Sequence, residues 1–324
     1  MEAFFNTAPL YLVVVLLILG FVFLIKGADF FVEGSSSVAK RLKVPSIIIG
    51  LTIVAMGTSL PEASVSAVAS LNNNNELAVA NVIGSNIFNL MIVIGVCAVM
   101  MTLAVDKDTI KKDIPFSLVC ACALVFLAVV FPGGMVIGRI GGVILLLLFV
   151  YYLWNLFMRA KQGRENADEL DDDIKILSPV LSIICIIGGC IGIIIGGELC
   201  VQSATRIATE AGMSQTLIGL TIVSIGTSLP ELCTSFVAAK KGEIDMALGN
   251  AIGSNIFNIL FVLGISAVIS PVSMISENLI DIAILLIFTI IVWAISYKKK
   301  SLNKTTGIAM IALYLVYAVY ICIR

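Results

Sequence analysis

Apolar residues run along this chain in long blocks, interrupted at intervals by short polar stretches. The blocks are about as long as a helix needs to cross a bilayer, roughly 20 residues each. Ten spans are predicted: 9–38, 46–70, 77–104, 114–131, 136–158, 178–208, 215–239, 244–269, 277–297 and 305–323. The expected fold is an all-α membrane protein. The first block begins Met1-Glu2-Ala3, lacks a positive leader and runs past signal-peptide length, so it is expected to stay as the first span. Lys26, Asp29 and Glu33 near its end are expected to be a solvated interfacial end.

Lys and Arg orient the spans. Lys40, Arg41, Lys43, Lys107, Lys111, Lys112, Arg159, Lys161, Arg164, Lys175, Lys240, Lys241, Lys298, Lys299, Lys300 and Lys304 all fall in alternate connections. The opposite set holds only Arg139, Arg206 and Arg324. The basic face is expected in the cytoplasm, with both termini outside a cell membrane. The segment 159–177 is the one long polar linker and contains Asp171-Asp172-Asp173. It reads as a solvated charged loop. A regulatory cation site is the alternative, but EF-hand spacing is lacking.

The chain also repeats itself. Gly50–Glu62 (GLTIVAMGTSLPE) and Gly219–Glu231 (GLTIVSIGTSLPE) agree at 11 of 13 positions, 169 residues apart. Asn81–Asn89 (NVIGSNIFN) and Asn250–Asn258 (NAIGSNIFN) agree at 8 of 9, at the same offset. The chain therefore divides into 1–158, the linker 159–177, and 178–324. Five spans per half is an odd number, so the second half enters from the other side. The two halves are expected to be inverted repeats, in which matching Gly/Pro-interrupted segments mark a substrate site.

Composition changes the picture only slightly. With 13% charged residues and 60% hydrophobic ones, the chain lies far from soluble proteins. It has no basic tract for nucleic acid. With no histidine, the usual catalytic triad cannot be built, so an enzyme is not expected. The eight cysteines lie in apolar runs without metal-ligand spacing and read as small packing residues.

The chemistry concentrates in the repeated blocks. Glu62 and Glu231 fall inside spans, where a carboxylate is expensive, and neither block supplies a Lys or Arg. Protons or bound cations must neutralise them. Pro61 and Pro230 lack an N–H and clash with the carbonyls of Gly57 and Gly226, so each helix should break or kink and free carbonyl oxygens around 54–58 and 223–227. Thr58 and Thr227, four residues before the glutamates, share their faces. Asn81, Ser85 and Asn89, with Asn250, Ser254 and Asn258, form polar stripes at i, i+4 and i+8. Asn86 and Asn255 face elsewhere and read as interhelical glue. Carboxylates, carbonyls and hydroxyls make an all-oxygen set suited to calcium and sodium. A channel could use the same oxygens.

The paired GTSLPE and GSNIFN blocks resemble the two repeats of the calcium/cation antiporter superfamily, most closely its prokaryotic sodium/calcium exchangers. That resemblance covers nearly the whole chain. It implies ten helices, a core of helices 2, 3, 7 and 8, and helices 1 and 6 that slide across it. It implies calcium ligation by Glu62, Glu231 and the carbonyls of Thr58 and Thr227. It implies flanking sodium sites from Ser59, Ser85, Ser228, Ser254, Ala55 and Ser224, with Asn89 and Asn258 lining the centre. Asn at both of the latter positions argues against potassium co-transport, and Ser224 departs from its partner Ala55. Sodium/calcium antiport is expected, with calcium and sodium as transported ions, no cofactor and no obligate protein partner. Proton/calcium antiport remains the nearest alternative.

Overall fold

The computed structural model describes residues 2–72, 75–130, 135–165, 176–213, 222 and 224–323. After a short helix, Glu2–Thr7, come α1 (Leu10–Leu42), α2 (Ser46–Thr58), α3 (Leu60–Leu71), α4 (Asn75–Met100), α5 (Thr109–Val129) and α6 (Arg139–Gln162). The second half contains α7 (Pro179–Glu210), α8 (Ser224–Thr227), α9 (Leu229–Lys240), α10 (Ile244–Ile269), α11 (Ser276–Lys299) and α12 (Lys304–Ile323). Among the described residues, eight helices are long and apolar enough to cross a membrane, and α2 with α3 makes a ninth, broken span. The expected span 215–239 begins outside the described residues, as do Asp171, Asp172 and Asp173 of the linker; α8 and α9 supply the rest of that span.

This is an all-α, multi-span membrane fold. Its only extended pieces among the described residues are two short antiparallel pairs, Leu103–Ala104 with Ser301–Leu302 and Val136–Ile137 with Val272–Ser273. Each pair ties a connection of the first half to one of the second.

Burial ranks the helices. In their most apolar windows α4 and α10 are each 78% buried, against 22% for α1 and 28% for α7. The sequence explains the difference. The first two carry the small and amide residues of the GSNIFN blocks and sit at the centre. The other two expose Leu, Ile and Val, with Phe in α1, toward lipid. α10 packs on both α2 and the end of α4, so the core joins the two halves.

Along one side of this core, α1 and α7 run against each other through small residues. A Cβ on Gly189 would lie 2.6 Å from the Phe31 backbone nitrogen and 2.7 Å from the Gly27 carbonyl. Only hydrogen fits there, which lets the two backbones approach closely, as small residues do between membrane helices.

Asp29 and Glu33 of α1 are tied down, not simply solvated, whereas Lys26 is exposed. Lys241 pairs with Asp29 at 2.6 Å and reaches Glu33 at 3.9 Å. Glu243 accepts from Ser36 and, at 3.0 Å, from Ser46, and lies 3.5 Å from Lys40. These contacts carry α1 through Ser35-Ser36-Ser37 to Leu42, beyond the expected end at 38. At the start of α5, Asp113 is buried and paired with Arg159 at 2.6 Å. That pair draws Thr109–Asp113 into the helix, ahead of the expected start at 114. All eight cysteines are free.

Gly189→Ala should lower the thermal midpoint of the purified protein in detergent, by about 1–3 kcal/mol of overpacking. A glycine-to-alanine change in an open helix would instead stabilise it by up to about 1 kcal/mol. A raised midpoint would refute the close contact.

Candidate ion-binding site

The broken span supplies the first half of the site. Pro61 has no N–H, and the chain breaks at Ser59 (φ −87°, ψ 11°), so Pro61 heads α3 instead of kinking a continuous helix. α2 and α3 meet at 48°. Ser228 (φ −93°, ψ 3°) makes the matching break, with Pro230 heading α9. The Gly57 carbonyl, whose usual partner would be the Pro61 N–H, lies 3.6 Å from the Cys190 thiol of α7. Both breaks place a glutamate in the first turn of the following helix.

Glu62 and Glu231 are 0% exposed. Glu62 Oε1 accepts from Ser85 Oγ at 3.4 Å and from Ser228 Oγ at 3.2 Å. Glu231 Oε1 accepts from Ser59 Oγ at 2.7 Å. Each break-point serine therefore serves the glutamate of the other half. No lysine or arginine pairs with either acid among the described residues. The second oxygen of each, Oε2, is buried without a hydrogen-bond partner.

The asparagines divide the work. Asn81 Nδ2 donates to the Glu62 main-chain carbonyl at 3.4 Å and to Ser66 at 3.0 Å, while its Oδ1 accepts from Thr227 at 3.4 Å. Asn250 does the same with the halves exchanged: Glu231 carbonyl 3.3 Å, Ser235 2.9 Å, Thr58 3.0 Å. Asn86 and Asn255 each donate to the other's carbonyl at 3.1 Å, which is the interhelical role expected of them. Asn89 and Asn258 are fully buried. Asn258 Nδ2 donates to Asn86 Oδ1 at 3.2 Å, whereas its Oδ1 and both polar atoms of Asn89 have no partner.

Of the expected set, then, Glu62, Ser85 and Ser228 come together, as do Glu231 and Ser59. Ser254 Oγ lies 3.5 Å from the Ala55 carbonyl. Thr58 and Thr227 are buried beside the breaks, their hydroxyls on the asparagines. Ser224 opens α8, and its side chain lies outside the described residues. Two features were not read from sequence. One is the exchange of serines and asparagines between halves. The other is a wide π-helical turn beginning at each central asparagine, Asn89–Val93 and Asn258–Val262; such turns concentrate at functional sites. The two turns fall at the same 169-residue offset, position for position.

A cavity of about 420 Å³ borders this cluster at Thr227, lined also by Pro61 and Ser64 of α3, Glu198 and Gln202 of α7, and Pro230 of α9.

Fold and site together define a polytopic membrane protein with a buried, oxygen-rich, net acidic centre. Comparison with known proteins narrows this class. The model of the sodium/calcium exchanger protein family matches residues 12–158 and 181–323. The sodium/calcium exchanger MaX1 of Methanosarcina acetivorans is 30% identical over 94% of this chain and 97% of its own. The inner membrane protein YrbG of Escherichia coli is 36% identical over 79% of each. A solved structure of the sodium-calcium exchanger NCX_Mj superposes with a TM-score of 0.83 at 34% identity, covering 98% of this chain and 100% of that one. The chain belongs to the sodium/calcium exchanger family.

Asn86→Ala removes the bond to the Asn255 carbonyl and the acceptor of Asn258. It should destabilise the core by about 1–2 kcal/mol, read as a lower thermal midpoint in detergent. An unchanged midpoint would show that these bonds carry no stability.

Proposed function

We propose that the protein is a secondary active antiporter that exchanges Na⁺ for Ca²⁺ across a cell membrane by alternating access. The observation that carries the reading is a pair of fully buried glutamates, each with one oxygen lacking a hydrogen-bond partner and neither facing a basic residue. Two ionised carboxylates carry −2, which one Ca²⁺ cancels and several Na⁺ also cancel. Without cations, two like charges would stand close together in low dielectric, which is costly. Such a carrier changes sides only when loaded, and one cation must replace the other. Family membership supports this reading, as do the names of MaX1 and NCX_Mj.

In this reading the ligands are those anticipated from sequence. Glu62, Glu231 and the carbonyls of Thr58 and Thr227 hold Ca²⁺. Ser59, Ser85, Ser228, Ser254, Ala55 and Ser224 contribute to flanking Na⁺ sites, and Asn89 and Asn258 line the centre. The chain forms ten spans in two inverted repeats, 1–158 and 178–324, joined by a cytoplasmic linker at 159–177, with both termini outside. The matched hydrogen bonds of Asn81 and Asn250 support the repeat. The 420 Å³ cavity then opens to the outer face, while the contacts of Lys241 and Glu243 with α1 close the cytoplasmic one. The sliding pair would be α1 and α7, whose glycine contact joins them into one body. If more than two Na⁺ replace one Ca²⁺, the membrane potential drives the cycle by about 2.3 kcal/mol per charge per 100 mV, and Ca²⁺ leaves the cell.

In proteoliposomes loaded with Na⁺, radioactive Ca²⁺ uptake should require the outward Na⁺ gradient. Uptake driven equally well by a pH gradient alone would favour proton/calcium antiport, and single-channel currents would favour a channel. Glu62→Gln and Glu231→Gln should each abolish exchange while the protein still folds. Acid should inhibit, because protons compete with metal for the carboxylates; full activity at pH 5 would contradict ionised ligands.

A further inference from the structure

The two halves repeat closely in the binding blocks, so a departure between them beside those blocks is informative. Asp29 of α1 and Glu198 of α7 occupy matching positions, 169 residues apart. Asp29 is paired at 2.6 Å with Lys241, which also reaches Glu33 at 3.9 Å, in the contacts that close the cytoplasmic side. The position matching Lys241 in the first half is Asn72, which carries no charge. Glu198 accepts from Gln202 Nε2 at 2.9 Å and, among the described residues, has no ion-pair partner. The cation two turns further along α7, Arg206, is taken up by Glu210 at 2.6 Å. Glu198 is partly exposed on the wall of the 420 Å³ cavity, across from Pro61, Thr227 and Pro230, the residues that border the two glutamates.

We propose that Glu198 is a cation-recruiting carboxylate of the outer vestibule, a transient station for Ca²⁺ and Na⁺ before they reach Glu62 and Glu231. A negative charge on the wall of a low-dielectric cleft raises the local concentration of cations and their rate of arrival. Gln202 holds the carboxylate toward the cavity without cancelling its charge. On the cytoplasmic side the matching Asp29 is held against Lys241 in the contacts that close that face, so it lines no open cleft of this kind. The two faces therefore differ in how strongly they gather ions, although their binding residues repeat. This inference rests on the antiport reading and assigns a sidedness to it.

The test is apparent KM measured separately at each face, in right-side-out and inverted membrane vesicles at low ionic strength. Glu198→Gln should raise the outer KM for Ca²⁺ by about threefold, and Glu198→Lys by about tenfold, with maximal rate and inner KM retained. Local enrichment depends exponentially on ion valence, so the outer KM for Na⁺ should rise by less than about twofold in Glu198→Gln. Glu198→Asp should stay near wild type. About 1 M inert salt, which shortens screening to about 3 Å, should remove the difference. Glu277→Gln, which deletes an exposed acid from the same face away from the cavity, should leave KM unchanged. The proposal is overturned if Glu198→Gln leaves outer KM unchanged, or if KM rises equally at both faces and for both ions. Wild-type vesicles without Na⁺-dependent Ca²⁺ uptake would instead remove the antiport reading itself.

Discussion

Two carboxylates that cannot be left alone organise this molecule. Glu62 and Glu231 are fully enclosed, and the groups turned toward them are hydroxyls of serine. Hydroxyls moderate a buried charge without cancelling it, since burying an ion without full compensation costs several kcal/mol. The pair is thus left to be neutralised by protons or bound cations, and in the antiport reading a transported cation does so. The helix breaks, the amide clamps and the dense centre serve to hold this unsatisfied pair in a fixed geometry.

The clamps show how. Asn81 binds the main chain of its own half's glutamate and the threonine of the other half, and Asn250 mirrors it. Neither half completes its site alone. Because the serines also cross over, a shift of one half relative to the other changes the surroundings of both acids together. That coupling suits a carrier in which occupancy controls a conformational change. Around this centre, α1 and α7 are thinly buried and meet through glycine, so this outer layer and the core that holds the two acids are physically distinct.

Much of this was legible in the sequence because the chain states its pattern twice. A constant offset marked both glutamates, both prolines and both polar stripes, and the helix breaks fell beside Pro61 and Pro230 as a missing N–H requires. Periodicity tells which face a residue occupies, not which neighbour it meets, so the exchange of Ser59 and Ser228 between halves stayed hidden. The spacing of Asn81, Ser85 and Asn89 placed all three on one helix face. In the fold Asn81 holds backbone, Ser85 meets Glu62, and Asn89 opens a wide turn. Helix ends differ from the apolar pattern: α1 runs to Leu42 instead of 38, and α5 starts at Thr109 instead of 114, where Asp113 pairs with Arg159.

The decisive measurement is anomalous diffraction from crystals soaked in Sr²⁺ as a stand-in for Ca²⁺. A single strong peak should lie between Glu62 and Glu231, about 2.3–2.6 Å from carboxylate oxygens of both. Protein crystals soaked to saturation with no such peak, or with the metal bound away from both acids, would contradict the claim that this pair exists to hold a transported cation.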